Sequence, residues 1–133
     1  MSLRIGHIAI DSRDAFAQSR WWGAVLDFVE DPADPNEPGH EECMILSANG
    51  RERLLFIEVA EPKQLKNRLH LDLRPTGTLA EELNRLIGLG AVLVADLRTP
   101  ERGWVTLADP EGNEFCVLRG QQEVPDPYAH LVR

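Results

Sequence analysis

Residues 107–119 read LADPEGNEFCVLR, and their order defines a tight turn running into a strand. Aspartate suits the first position of a type I turn, proline the second and glycine the fourth, which are the places of Asp109, Pro110 and Gly112. The turn joins "GWVTLAD" to "NEFCVLR" as a hairpin and sets their register. It carries no chemistry of its own.

Working backward from this turn, "AVLVADL" supplies one more strand, and a helix precedes it. Thr78 and Glu81 stand at capping-box spacing, Leu79, Leu83, Leu86 and Ile87 form an apolar stripe, and Gly88 and Gly90 help to end the helix. Before the helix, "RLHLDLR" alternates apolar and polar residues as a strand does. The second half therefore reads β-α-β-β-β.

The first half reads in the same order. "LRIGHIAID" is a strand with Ile5, His7, Ala9 and Asp11 on one face. Asp11 and Ser12 can cap a helix in which Ala15, Ser19, Trp22 and Leu26 recur at helical spacing beside Val25. "LDFVED" is expected as a short strand, and "DPADPNEPGHEE" as a solvated loop, since its prolines forbid regular pairing. "CMILSA" and "RLLFIEV" then pair through the Asn49-Gly50 turn. His7 and His70 stand 63 positions apart and Gly50 and Gly112 stand 62 apart, the mark of an internal duplication of two paired modules. Neither half alone would bury enough core.

The 133 residues, 43% apolar, suit one domain, residues 1–133, with module one at about 3–60, module two at about 67–119 and a tail at 120–133. A formal charge of −8 repels nucleic acid and anionic membrane surfaces. No apolar run approaches a membrane span and "MSLRIGHIAID" lacks the core of a signal peptide, so a cytoplasmic protein is expected, with Cys43 and Cys116 as thiols. The glycines of "LIGLGAV" follow a helix, so they do not form a dinucleotide cradle.

Duplicated βαβββ modules, a histidine in the first strand of each, and "LADPEGNEFCVL" near the end resemble the vicinal oxygen chelate superfamily of glyoxalases, bleomycin-binding proteins and extradiol dioxygenases. "KNRLHLDLRP" with "DPEGNEFCVLR" is similar to its small bacterial glyoxalase-like domains. The resemblance spans Leu3 to about Arg119. It implies an α+β fold in which the two tandem modules form a curved mixed sheet, with helices on the convex side and a concave cup. It also implies a small-molecule substrate or ligand and a homodimer.

Members of the superfamily hold a divalent metal with side chains from the first and last strands of each module. His7 and His70 match the two histidines of that pattern. The glutamate expected on the last strand of module two is replaced by Cys116, with Glu114 two residues earlier on the same face as a candidate acid/base. The duplicate of Cys116 in module one is read as Leu54, and Glu58, on the face of Leu54 and Phe56, is the candidate carboxylate ligand. His7, His70 and Glu58 would suit iron, manganese or nickel, with zinc as a further candidate. Trp21, Phe56, Trp104 and Cys116 are candidate pocket residues. Asp72 is read as a pocket-facing or solvated acid that reaches His70 only if the strand is distorted. A metal-dependent lyase or dioxygenase is thus expected, with a metal-free binding protein of the bleomycin-resistance type as the alternative favoured by Cys116 and Leu54.

Overall fold

The structure, a computed structural model, describes residues 2–131. It is a small α+β chain with two helices and two mixed sheets, one sheet in each of two compact units, Met1–Lys63 and Gln64–Arg133.

In the first unit, β1 (Ile8–Ser12), α1 (Ala15–Leu26), β2 (Glu42–Leu46) and β3 (Arg53–Glu58) follow in order. The sheet order is β1-β3-β2, with β1 parallel and β2 antiparallel to β3. The β2–β3 turn forms where Asn49-Gly50 placed it. Gly50 sits at φ 71°, and the Asn49 carboxamide oxygen accepts from the Ser47 hydroxyl and the Arg51 amide. The cap of α1 is Asp14, not Asp11 or Ser12, because the Asp14 carboxylate accepts from the Ala17 amide at 3.0 Å. Ala15, Trp22 and Val25 of α1 are buried, as are Cys43, Ile45, Leu54 and Phe56 of β2 and β3, against which the helix packs. Each large apolar side chain buried here contributes about 1.5–3 kcal/mol.

"LDFVED" does not become a strand. Only Val29 bridges to Leu46, by reciprocal backbone bonds of 2.9 and 2.8 Å. Asp27, in the left-handed conformation at φ 56°, turns the chain out of α1 just before it, and the prolines from Pro32 onward prevent the ladder from extending.

The second unit contains β4 (Asp72–Leu73), α2 (Leu79–Gly88), β5 (Val92–Asp96), β6 (Val105–Ala108), β7 (Glu114–Val117) and a terminal 3-10 turn at Ala129–Leu131. The sheet order is β4-β7-β6-β5, with β4 parallel to β7 and the other pairs antiparallel. Thr78 caps α2 through the Glu81 amide, and Gly90, at φ 101°, ends it as Ala91 donates back to the Leu86 carbonyl. Leu79, Leu86, Val105, Leu107, Phe115 and Val117 form the core of this unit.

The Asp109 turn is a hub of hydrogen bonds. One oxygen of the buried Asp109 carboxylate accepts from the Glu111 and Asn113 amides, both at 2.9 Å, and the other accepts from the Asn113 side chain at 3.1 Å. The Asn113 side-chain oxygen in turn accepts from the Asn67 carboxamide at 2.9 Å, while the Asn67 amide donates to Glu114 at 3.3 Å. The turn therefore ties down the segment that leads into His70.

The tail begins by packing against the entry to α2. A Cβ on Gly120 would lie 1.7 Å from the Gly77 carbonyl oxygen, so only glycine fits there. Gln121 donates to the Pro75 carbonyl, and the Glu123 carboxylate accepts from the amides of Gly120 at 2.6 Å and Leu79 at 2.9 Å. The carboxylate thus satisfies the orphan Leu79 amide at the helix N-terminus, and the two donated bonds hold the Glu123 carboxyl below its ordinary range. The last two residues of the tail, 132 and 133, lie outside the described residues.

Two predictions follow from this arrangement. Because the Glu123 pKa is lower in the folded state, its stabilisation is complete above the unfolded carboxylate value and disappears as pH falls through the folded one. Denaturant unfolding of wild type and Glu123→Gln is expected to differ at pH 7 and to converge towards pH 3. Asn113→Ala removes the links to Asp109 and Asn67 and is expected to cost about 1–2 kcal/mol by denaturation, with faster amide exchange in residues 65–72.

Candidate functional site

The short β4 strand decides where the site forms. Asp72 pairs with Cys116 and Leu73 with Val117, and the Cys116 amide donates to the Leu71 carbonyl at 2.9 Å. Side chains alternate along β7, so Phe115 and Val117 point into the core and Cys116 faces the other way. Asp72 lies beside it in the ladder. His70, two residues before Asp72, shares its side, and its Nδ1 lies 2.8 Å from the Asp72 Oδ1. The distorted strand that this contact was expected to need is not required, because His70 lies just outside the β4 ladder.

Ligand atoms of His70, Asp72 and Cys116 all lie within 4.8 Å of one another. They open on a cavity of about 470 Å³ whose further polar lining is Lys66, Thr106 and Glu114 and whose apolar wall is Leu97, Trp104 and Leu118. That volume suits a small molecule. The Cys116 sulfur lies 3.4 Å from the Thr106 hydroxyl. Burial pushes the Cys116 thiol above its ordinary pKa; the bond with Thr106 opposes this and the Asp72 charge adds to it. Lys66 also opposes the rise, but burial prevails, so the thiol is protonated at neutral pH.

His70, Glu114, Trp104 and Cys116 thus line one cavity of the second unit. His7, Glu58, Phe56 and Trp21 belong to the first unit. His7 immediately precedes β1 and is exposed. Ile8 pairs with Leu54 whereas Glu58 pairs with Ser12, so His7 and Glu58 lie at opposite ends of the β1–β3 pair, about 16 Å apart at 3.3 Å per residue. Glu58 follows Leu54 and Phe56 on their side of the strand, but at the strand end it is itself exposed. Within this unit the sheet does not bring Glu58 to His7. Phe56 is fully buried in the core of the first unit. Trp21 sits on α1 and meets Trp22 edge-on with ring centroids 5.2 Å apart. Register also corrects the duplication: Ala9, which corresponds to Asp72, pairs with Leu55, so the counterpart of Cys116 is Leu55 and not Leu54.

Two cavity residues were not singled out from the sequence, Thr106 and Lys66. Asp72 is the pocket-facing acid that the alternation with His70 points to. Thr106 and Lys66 become neighbours only through the ladder and the clasp at Asn67.

The chain matches the glyoxalase-like domain family over residues 7–118. Among curated proteins it has no significant match. Its fold is similar to that of a mutant of the fosfomycin resistance protein FosX from Listeria monocytogenes, solved with Mn(II) and 1S,2S-dihydroxypropylphosphonic acid. That similarity has a TM-score of 0.69 at 16% identity and covers 94% of this chain and 98% of the other. FosX from Mesorhizobium loti gives 0.65 at 17% identity, with 100% of both chains covered. A glyoxalase/bleomycin resistance protein/dioxygenase family enzyme from Burkholderia phytofirmans PsJN gives 0.64 at 21% identity, covering 86% and 97%. No helix among the described residues is long and apolar enough to cross a membrane. With the histidine of each module, the turn hub and the fold in agreement, the chain belongs to the glyoxalase-like domain family.

Proposed function

We propose that this chain is a divalent-metal-dependent enzyme of glyoxalase-like type that acts on a small oxygenated molecule held in the cavity beside His70. The observation that carries the reading is the convergence of an imidazole, a carboxylate and a thiol at one end of that cavity. Nitrogen, oxygen and sulfur donors together fit a borderline divalent ion, and the thiol favours zinc or nickel over manganese. His70, Asp72 and Cys116 would hold the metal, which would supply Lewis-acid polarisation of substrate oxygens. That chemistry favours a lyase over a dioxygenase.

The chain's own residues supply the rest. Thr106 positions the Cys116 sulfur. Glu114 lines the cavity and is the group available to accept or return a proton, its carboxylate held in place by the Asn67 amide. Leu97, Trp104 and Leu118 shield the bound molecule from water. The same reading includes a homodimer, as the family resemblance implies.

A second reading, metal-free binding, is favoured by one observation: the His70 and Asp72 side chains already pair with each other beside an apolar wall. Cobalt(II) titration separates the two. The metal reading expects stoichiometric uptake with a thiolate-to-cobalt charge-transfer band. The band is expected to vanish in Cys116→Ser, and uptake to weaken at least about tenfold in His70→Ala. Absence of stoichiometric cobalt and zinc binding would overturn the metal reading and leave the binding protein.

A further inference from the structure

The second unit holds another cavity, of about 190 Å³, lined by Arg74, Glu101, Arg102 and Arg119, with Leu118 and Val124 as its apolar wall. Three guanidinium groups against one lining carboxylate make it locally cationic in a chain of formal charge −8. The Glu123 carboxylate also acts on Arg119, but it is committed to the Gly120 and Leu79 amides.

The cavity is built on fixed backbone. Thr99 and Arg102 close the β5–β6 loop on each other: the Thr99 amide and hydroxyl donate to the Arg102 carbonyl at 2.6 and 2.9 Å, and the Arg102 amide donates to the Thr99 hydroxyl at 3.1 Å. Gly103, at φ 111°, leaves no room for a side chain, since a Cβ would lie 2.2 Å from the Leu97 carbonyl oxygen. One Arg119 nitrogen clamps this loop through the Thr99 and Arg102 carbonyls, and Arg74 donates to the Arg119 carbonyl at 2.6 Å. The remaining donors are not all used. Arg119 Nε is buried with no hydrogen-bond partner among the described residues. The Nε atom is closed to solvent, so the Arg119 guanidinium acts on the cavity through its charge.

We infer that this cavity is a binding site for an oxyanion, carboxylate or phosphate, carried by a small molecule. Planar guanidinium forks match both groups, and Arg102 is the exposed member free to close on the ligand. Leu118 lines this cavity and the one beside His70. Taken with the function proposed above, the substrate is then a small oxygenated molecule with an anionic end, the oxygens directed to His70 and the anion to the arginines. The anion site itself does not depend on that function.

The test is calorimetric titration of the full chain, treated with chelator and held at constant ionic strength in chloride, with inorganic phosphate and separately with malonate. Saturable binding of either is expected, and the stronger of the two identifies the anion class. Arg102→Ala is expected to weaken it about tenfold and Glu101→Gln to tighten it severalfold, whereas His70→Ala leaves it unchanged. Absence of saturable binding with both anions, or equal affinity across wild type, Arg102→Ala and Glu101→Gln, would overturn the inference. Cobalt uptake by the same preparations keeps the two proposals apart. Anion binding without cobalt sinks only the metal reading, and cobalt binding without anion binding sinks only the oxyanion site.

Discussion

The parallel pairing of Asp72 with Cys116 is the constraint on which the second unit depends. It joins the segment before α2 to the last strand of the sheet, and the two-residue period then does the sorting. Phe115 and Val117 enter the core while Cys116, Asp72 and His70 gather at the cavity. A shift of one residue would put Phe115 in the cavity and Cys116 in the core. The hub at Asp109 guards against that shift from one side and the Cys116–Leu71 backbone bond from the other.

The two units repeat one plan with different consequences. In the first, the position corresponding to Cys116 is Leu55 and that corresponding to Asp72 is Ala9, so no polar cluster grows around His7 from its own sheet. In the second, the same positions bear a thiol and a carboxylate. The scaffold is repeated, and the side chains at two register positions differ between the copies, apolar in the first and polar in the second. The cavity's character follows from that asymmetry together with the wall of Leu97, Trp104 and Leu118.

Replacing a carboxylate by a thiol changes what the site asks of its surroundings. A carboxylate is ionised at neutral pH and attracts a hard cation, whereas the Cys116 thiol, kept protonated by burial, ionises only when a cation or another positive charge stabilises it. Asp72 and Glu114 then carry the negative charge of the cavity. Lys66 offsets part of it, and the arginines beyond Leu118 provide a separate positive region.

The sequence by itself determined the elements whose causes are local. The Asn49-Gly50 and Asp109–Gly112 turns, the Thr78 cap, the end of α2 and the two matched halves could all be read because each depends on residues within a few positions. Local reading erred where neighbours decide, as at "LDFVED", which alternates acceptably but makes only isolated bridges, Val29 with Leu46 and Asp31 with Asp34, and no ladder beside its proline-rich loop. For the site, sequence identified His70, Glu114, Trp104 and Cys116 as candidates, since a duplicated histidine strand and a family-like hairpin point to them. Tertiary structure alone decided that Asp72 stands against Cys116, that Glu58 and His7 lie at opposite ends of the β1–β3 pair, and that three arginines meet at one cavity. The physical reason is register: which residues become neighbours across a ladder is set by long-range pairing, and no local pattern encodes it.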